Sequence, residues 1–206
     1  MLLRHGRTAW NATGRAQGHA DIELDDTGHS QASDVAPRIA GFRPVALWSS
    51  DLARARQTAA YVEKETGLVA LLDPRLREYS VGERTGLTLV EFRGQFPGEY
   101  AAWEDGRFEA VRGAEGRADV LARIVPACRE LVASVDAGHT AVAVTHGAAL
   151  KVALTALLGW EPAIGDSLRG LDNCAVAVLQ EGASPEVMRL VAYNAAPDFA
   201  SLTTGG

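Results

Sequence analysis

The chain has 206 residues, 47% hydrophobic and 22% charged, proportions of a soluble globular protein able to bury a sizeable core. Its net charge of -6, with no run of Lys or Arg, excludes a general nucleic-acid or membrane-surface role; local arginines still leave room for an anionic substrate. No apolar stretch reaches the roughly 18 residues of a membrane span, no leader peptide is apparent, and Cys128 and Cys174 lack metal-site spacing and read as reduced core thiols. The expected location is therefore the cytoplasm.

Leu2-Leu3 ends abruptly in Arg4-His5-Gly6, followed by donors at Arg7, Thr8 and Asn11. Arg4 supplies a planar cation suited to phosphate, and His5 a ring nitrogen that can act as nucleophile or base. Gly6 leaves room for the backbone to approach a ligand. Taken alone, the tripeptide is better explained as a strand end with a solvated Arg-His pair. Only Met1 to Leu3 precede Arg4, a short lead for a central strand, which fits a native start upstream.

Trp10 to Glu23 reads as loop, where Arg15, Gln17 and Gly18 either add donors near this first site or supply plain loop polarity. Asp25 caps a predicted helix to about Ala40 with Ala32, Val35, Ala36 and Ile39 on its apolar face; Pro37 should kink or shorten it. Val45 to Trp48 reads as a buried strand, then Ser49-Ser50-Asp51 leads into a helix carrying Leu52, Ala55, Ala59 and Val62 and stopping at Gly67. Leu68 to Leu72 is a third strand. This alternation predicts right-handed crossovers and a parallel sheet.

Asp73 to Gly86 is a polar loop containing Arg75, Arg77, Glu78, Glu83 and Arg84. Thr88 to Glu91 fits a capping box that opens a short helix. Phe92 to Gly116 is irregular, with aromatics among arginines, and the stretch 87–117 is expected to be a helical cap inserted over the sheet. Ala118 to Val135 returns to helical period, interrupted by Pro126. Thr140 to Val144 is a strong strand; Thr145-His146-Gly147 follows, then a helix from about Ala148 to Leu158 with Gly159 as its stop. Cys174 to Leu179 and Val187 to Tyr193 are final strands joined by a turn at Gly182 to Pro185. With no linker to divide it, 1–206 is expected to be a single domain: a three-layer α/β/α sandwich with a mostly parallel central sheet and a small inserted helical cap.

His5 and His146 each follow an apolar strand and precede a glycine, so both are expected at the carboxyl ends of strands, where ligands of parallel sheets bind. Arg54 falls in the first turn of a helix, where free amides and the positive dipole end favour phosphate. On its own it is more often a solvated helix residue.

Together these segments carry a resemblance. Leu2 to Asn11, Gln17-Gly18, and Leu24 to Ala32 ending in Gly-His-Ser-Gln-Ala are similar to the opening of the histidine phosphatase superfamily, the phosphoglycerate mutase-like branch 1. Ser49 to Ala59, Leu76-Arg77-Glu78, and Val144 to Gly147 resemble its later motifs, in order and spacing. The resemblance implies that His5 attacks phosphorus to form a phosphohistidine, while Arg4, Arg54 and His146 hold the phosphoryl oxygens. It makes Glu78 the general acid and then the base, and Thr8, Asn11, Gln17, Gly18 and the Gly147 amide the lining of the phosphate pocket. It implies no metal and no cofactor. His19, His29 and His139 also lack ligand spacing, and Asp25-Asp26 is better explained as a helix cap. Nearby arginines should keep His5 neutral. Without the resemblance, Glu78 reads as a surface carboxylate paired with Arg75 or Arg77.

Two departures touch the pocket rim. Gly82-Glu83-Arg84-Thr85-Gly86 replaces the tryptophan of the family's Gly-x-Trp-Glu-Gly, and Gly113-Ala114-Glu115-Gly116 stands for Gly-Gly-Glu-Ser. Arg84, Arg93, Arg107 and Arg112 are candidates for a second anionic group, or simply solvate the cap. The resemblance implies hydrolysis of a small phosphorylated metabolite, glucosyl-3-phosphoglycerate or a related phosphoglycerate or sugar phosphate. A bisphosphoglycerate-dependent mutase is the rival, disfavoured by Tyr-Ser-Val-Gly after Glu78 and by the short insertion. A non-catalytic phosphoester-binding module is third, disfavoured by the presence of His5 and Glu78. The expected partners include no nucleic acid and no membrane; a homodimer through the last strands and the helix after His146 is an open expectation.

Overall fold

Leu2 and Leu3 are both buried, and neighbours in a strand point to opposite faces, so the sheet they enter needs cover on both sides. The computed structural model describes residues 1–184 and 187–195. Its strands are β1 (Leu2–Arg4), β2 (Pro44–Ser49), β3 (Leu71–Leu72), β4 (Thr140–Thr145), β5 (Val176–Ser184) and β6 (Val187–Ala195). Its helices are α1 (Ala9–Ala12), α2 (Asp26–Gly41), α3 (Ala53–Thr66), α4 (Leu89–Gln95), α5 (Pro97–Glu104), α6 (Arg117–Ala133), α7 (Gly147–Leu157) and α8 (Pro162–Ser167).

The sheet runs β3-β2-β4-β1-β5-β6. The first four strands are mutually parallel, and β5 and β6 add an antiparallel edge. Leu2, Trp48 and Ala143 pack on one face with Ile124 and Leu131 of α6 and Leu150 and Leu154 of α7. Leu3, Leu47, Val142 and Val144 pack on the other with Val35 and Ile39 of α2 and Ala59 and Val62 of α3. The result is the three-layer α/β/α sandwich, with α4 and α5 as its small helical cap. Cys128 and Cys174 are free and buried, and burial pushes each thiol up to about 12.

Several local expectations change. α2 continues through Pro37 to Gly41, and α6 runs through Pro126. Both prolines, and the residues four before them, Ser33 and Ala122, lie on exposed faces, so water can satisfy the carbonyls they free. The third strand shrinks to Leu71–Leu72 because α3 side chains take the preceding donors: Thr66 Oγ1 accepts from Leu68 N (3.3 Å) and Glu63 Oε1 from Ala70 N (2.7 Å). The expected loop after Trp10 begins with α1, capped by a reciprocal Thr8–Asn11 pair. β5 begins at Val176 because Cys174 sits at φ +58, its N–H donating to Arg4 O at 3.1 Å. The expected turn at Gly182 to Pro185 lies partly outside the described residues.

Register positions the site. Arg4 lies opposite Thr145, and Ser49 opposite Val144, so His5, Ser50 and His146 leave three adjacent parallel strands at one level.

Candidate active site

His5 is 3% exposed, and its Nδ1 lies 2.7 Å from Gly6 O. A carbonyl only accepts, so Nδ1 carries the proton and Nε2 keeps its lone pair. Burial first, then Arg54 and Arg4, lower the His5 pKa well below its ordinary value, leaving a neutral ring. Gly6 serves packing rather than a ligand: a Cβ there would lie 2.6 Å from Gly28 O, where α2 begins.

Arg54 is fully buried. Its Nη1 and Nη2 donate to Ala20 O and Gly18 O at 2.8 Å each, and its Nε donates to His146 Nδ1 at 3.2 Å. Because Nδ1 of His146 accepts, Nε2 carries the proton and donates to Ser50 Oγ at 2.8 Å. The two histidine rings are 5.1 Å apart, and burial, Arg54 and His5 push the His146 pKa down. Burial likewise lowers Arg54 to about 10. Arg4 donates through Nη1 to Leu171 O, while its Nε is buried without a partner, as is Gln17 Oε1. A buried donor left unpaired is costly and is relieved by an incoming acceptor.

Glu78 reaches the same cavity from the loop after the short helical turn Pro74–Leu76. Its carboxylate accepts from Ala148 N (3.0 Å), Ala149 N (2.8 Å) and Tyr79 N (3.0 Å), so it caps the start of α7. The surface-pair alternative fails: Arg75 is taken by Asp73 and Glu130, and Arg77 by Asp51. Arg4, His5, Asn11, Gln17, Gly18, Arg54 and Glu78 line a cavity of about 360 Å³. Residues 1–195 match the family described as the histidine phosphatase superfamily (branch 1). The chain belongs to that superfamily.

The chain is 37% identical over 182 residues to the glucosyl-3-phosphoglycerate phosphatase of Mycobacterium tuberculosis, covering 85% of this chain and 82% of that one. It is 33% identical over 207 residues to a probable phosphoglycerate mutase of Yersinia pestis, covering 98% and 93%. Among solved structures, a mycobacterial glucosyl-3-phosphoglycerate phosphatase complexed with VO3 superposes with a TM-score of 0.86 at 36% identity, covering 95% of this chain and 98% of that one. Within the superfamily the chain is a phosphatase, an enzyme acting on phosphoric monoesters.

Against the superfamily pattern, three expected pocket residues sit off the cavity wall. Thr8 is fully buried behind it and caps α1, because Asn11 N and Oδ1 consume its polar groups (3.1 Å each). His146 lies beneath the wall, touching Arg54 and Ser50. Gly147 makes room for Arg4: a Cβ there would lie 3.3 Å from Arg4 Nε. Other site residues had no motif to mark them. Arg123 of α6 holds the backbone of the Glu78 loop, and Asn173 donates to His5 O at 3.0 Å. Lys151 lies on the wall one turn into α7, four residues after Gly147. Of the four cap arginines, Arg84 alone lines the cavity; Arg107 pairs with Asp105, Arg112 with Glu83, and Arg93 stacks on Tyr100. Among the described residues, no group of three or more His, Cys, Asp or Glu could hold a metal ion, and no helix is long and apolar enough to cross a membrane.

Proposed function

We propose that this phosphatase hydrolyses a small phosphorylated metabolite through a phosphohistidine at His5 Nε2. The observation that carries the reading is the convergence of a neutral, lone-pair-bearing His5 with Arg4 and Arg54 on one cavity that also holds Glu78. Nε2 attacks phosphorus as the ester oxygen leaves with a proton from Glu78; water then attacks the phosphohistidine as Glu78 takes its proton, and neutral imidazole departs. Arg54 has committed three of its donors to the protein and keeps two for phosphoryl oxygens. Arg4 adds its unpaired Nε, and Asn11, Gln17 and Gly18 complete the wall. His146 supports the pocket through Arg54, while Thr8 and Gly147 shape it from behind. Glu78 Oε2 accepts from Ala148 N alone, which leaves it a lone pair for the proton that is given and taken back.

The glucosyl-3-phosphoglycerate phosphatase likeness supports that ester, or a related phosphoglycerate or sugar phosphate, as substrate. The same proposal takes 1–206 as one domain with 87–117 as the cap over the site, working in the cytoplasm. A homodimer would use β5 and β6, because the apolar residues of α7 are buried within the chain.

Phosphate release from p-nitrophenyl phosphate and from glucosyl-3-phosphoglycerate, without added metal, tests the reaction. An alkaline quench should trap a phosphoenzyme that His5→Ala lacks, with turnover reduced by about four orders of magnitude or more. Undiminished turnover in His5→Ala would remove the nucleophile assignment. The likeness to a probable phosphoglycerate mutase favours a second reading. Phosphoglycerate isomerisation dependent on 2,3-bisphosphoglycerate, faster than phosphate release, would establish it.

A further inference from the structure

Four of the nine charged side chains on the cavity wall are already matched. Arg15 pairs with Glu91 at 2.8 Å, Arg117 with Asp166, and Glu115 with Arg123 at 2.8 Å. Among the described residues, four lining cations have no ion-pair partner: Arg4, Arg54, Arg84 and Lys151. One lining carboxylate, Glu78, is held by amides alone. Set against those charges, a phosphomonoester dianion leaves positive charge in excess, one charge with Glu78 ionised and two with it protonated for its first step.

Of these four cations, Arg84 is the one stacked on aromatic rings. It ends the short helical turn Gly82–Arg84, and its guanidinium carbon sits 4.2 Å from the Trp103 ring centre and 5.7 Å from that of Phe92. The turn is fixed at its start, since Gly82 adopts φ +52 and a Cβ there would lie 2.0 Å from Arg112 O. Arg84 Nε is buried with no hydrogen-bond partner, and burial lowers the side chain's pKa. Nearby acids are engaged elsewhere: Glu83 by Arg112, Glu91 by Arg15, and Glu104 by the Tyr100 hydroxyl at 2.7 Å.

We propose that Arg84 forms a second anion site in the cavity, which binds a carboxylate carried by the substrate alongside its phosphate. The planar fork of Nε–H and a neighbouring Nη–H matches two carboxylate oxygens, and the excess positive charge favours a further anion. Trp103 and Phe92 hold the guanidinium flat and partly dry, which strengthens such a pair. Lys151, tethered to Leu168 O at 2.8 Å, adds charge from the α7 wall without a fork. The proposal rests on the phosphatase reading for the first site; its own chemistry is binding and is testable without turnover.

The test uses the His5→Ala protein titrated calorimetrically with 3-phosphoglycerate and with glycerol 3-phosphate, which carries a hydroxymethyl group in place of the carboxylate. 3-Phosphoglycerate is expected to bind on the order of tenfold to a hundredfold tighter. Adding Arg84→Met, which keeps a stem on Trp103 but removes the charge, should collapse that preference to within about threefold, and Arg84→Lys should restore part of it. Equal affinities in the parent overturn the proposal. So does an Arg84→Met change that weakens both ligands alike and lowers the melting temperature, the signature of a strut for the cap. Failure of both ligands to bind overturns it together with the phosphate pocket. A carboxylate preference in binding, with no ester hydrolysed by the His5-containing protein, would leave the anion site standing and remove the phosphatase reading.

Discussion

Arg123 contributes to the site without lining the cavity. From α6 it donates Nη1 to Arg75 O (3.0 Å) and Arg77 O (2.6 Å) and Nη2 to Glu78 O (2.7 Å), with Glu115 as its counterion. His19 Nε2 adds a second donor to Glu78 O at 2.7 Å. The backbone of the acid-base residue is thus fixed from two directions while its side chain rests on α7. Arg123→Met leaves these carbonyls short of donors, so a loss of about 1–3 kcal/mol in thermal stability is expected. A fall in kcat of roughly tenfold or more should accompany it, with KM nearly unchanged, because substrate does not touch this residue. Steady-state kinetics beside a melting curve checks both; a change in KM alone would argue that Arg123 meets substrate. His5, Arg4 and Arg54 were legible in the sequence because they stand at strand and helix ends, where residue type and position together signal phosphate chemistry. Arg123 and Asn173 were not, because they act on main-chain carbonyls that only the folded loops bring within reach.

At the level of elements, the cap is built around one side chain. Phe92 of α4 is fully buried, with Tyr100 at 5.8 Å, Phe96 at 6.2 Å and Trp103 at 6.4 Å between ring centres. These contacts tie α4 to α5, and Arg84 stacks on the same cluster. Phe92→Ala should cost about 3–5 kcal/mol, felt mainly by the cap. Limited proteolysis should then cut within 87–117 well below the global melting temperature; cleavage elsewhere first would show that the cap is no weaker than the sandwich. The cap's helical character was readable from the Thr88–Glu91 capping box, whose reciprocal bonds form at 2.8 and 3.2 Å. Pro37 and Pro126 misled, since sequence does not show that the carbonyls they free face water. The third strand was overestimated because its donors go to Thr66 and Glu63, a choice periodicity cannot reveal.

For the whole molecule, two buried imidazoles make stability depend on pH. His5 and His146 are held neutral well below the ordinary value, chiefly by burial and then by Arg54, with Arg4 adding to it at both rings and His5 at His146. Below about pH 6.5 the unfolded chain binds protons that the native state refuses, so stability falls as pH falls, by up to about 1.4 kcal/mol per unit for each ring. Above that range both states are neutral and the contribution disappears. Urea titrations from pH 8 to 5.5 should show the slope, and His5→Asn should remove about half of it; a flat profile would mean that both rings titrate normally when folded. The parallel sheet was legible from strand-helix alternation, as was a central place for β1. That place has a consequence for how the enzyme is made. β1 pairs with strands more than a hundred residues away, Leu2 meeting both Ala143 and Ala177. Arg4 and His5 therefore wait for the last third of the chain before their strand has partners on either side. A chain that stops short of β4 thus carries the leading motif without the strand that sets His5 beside His146.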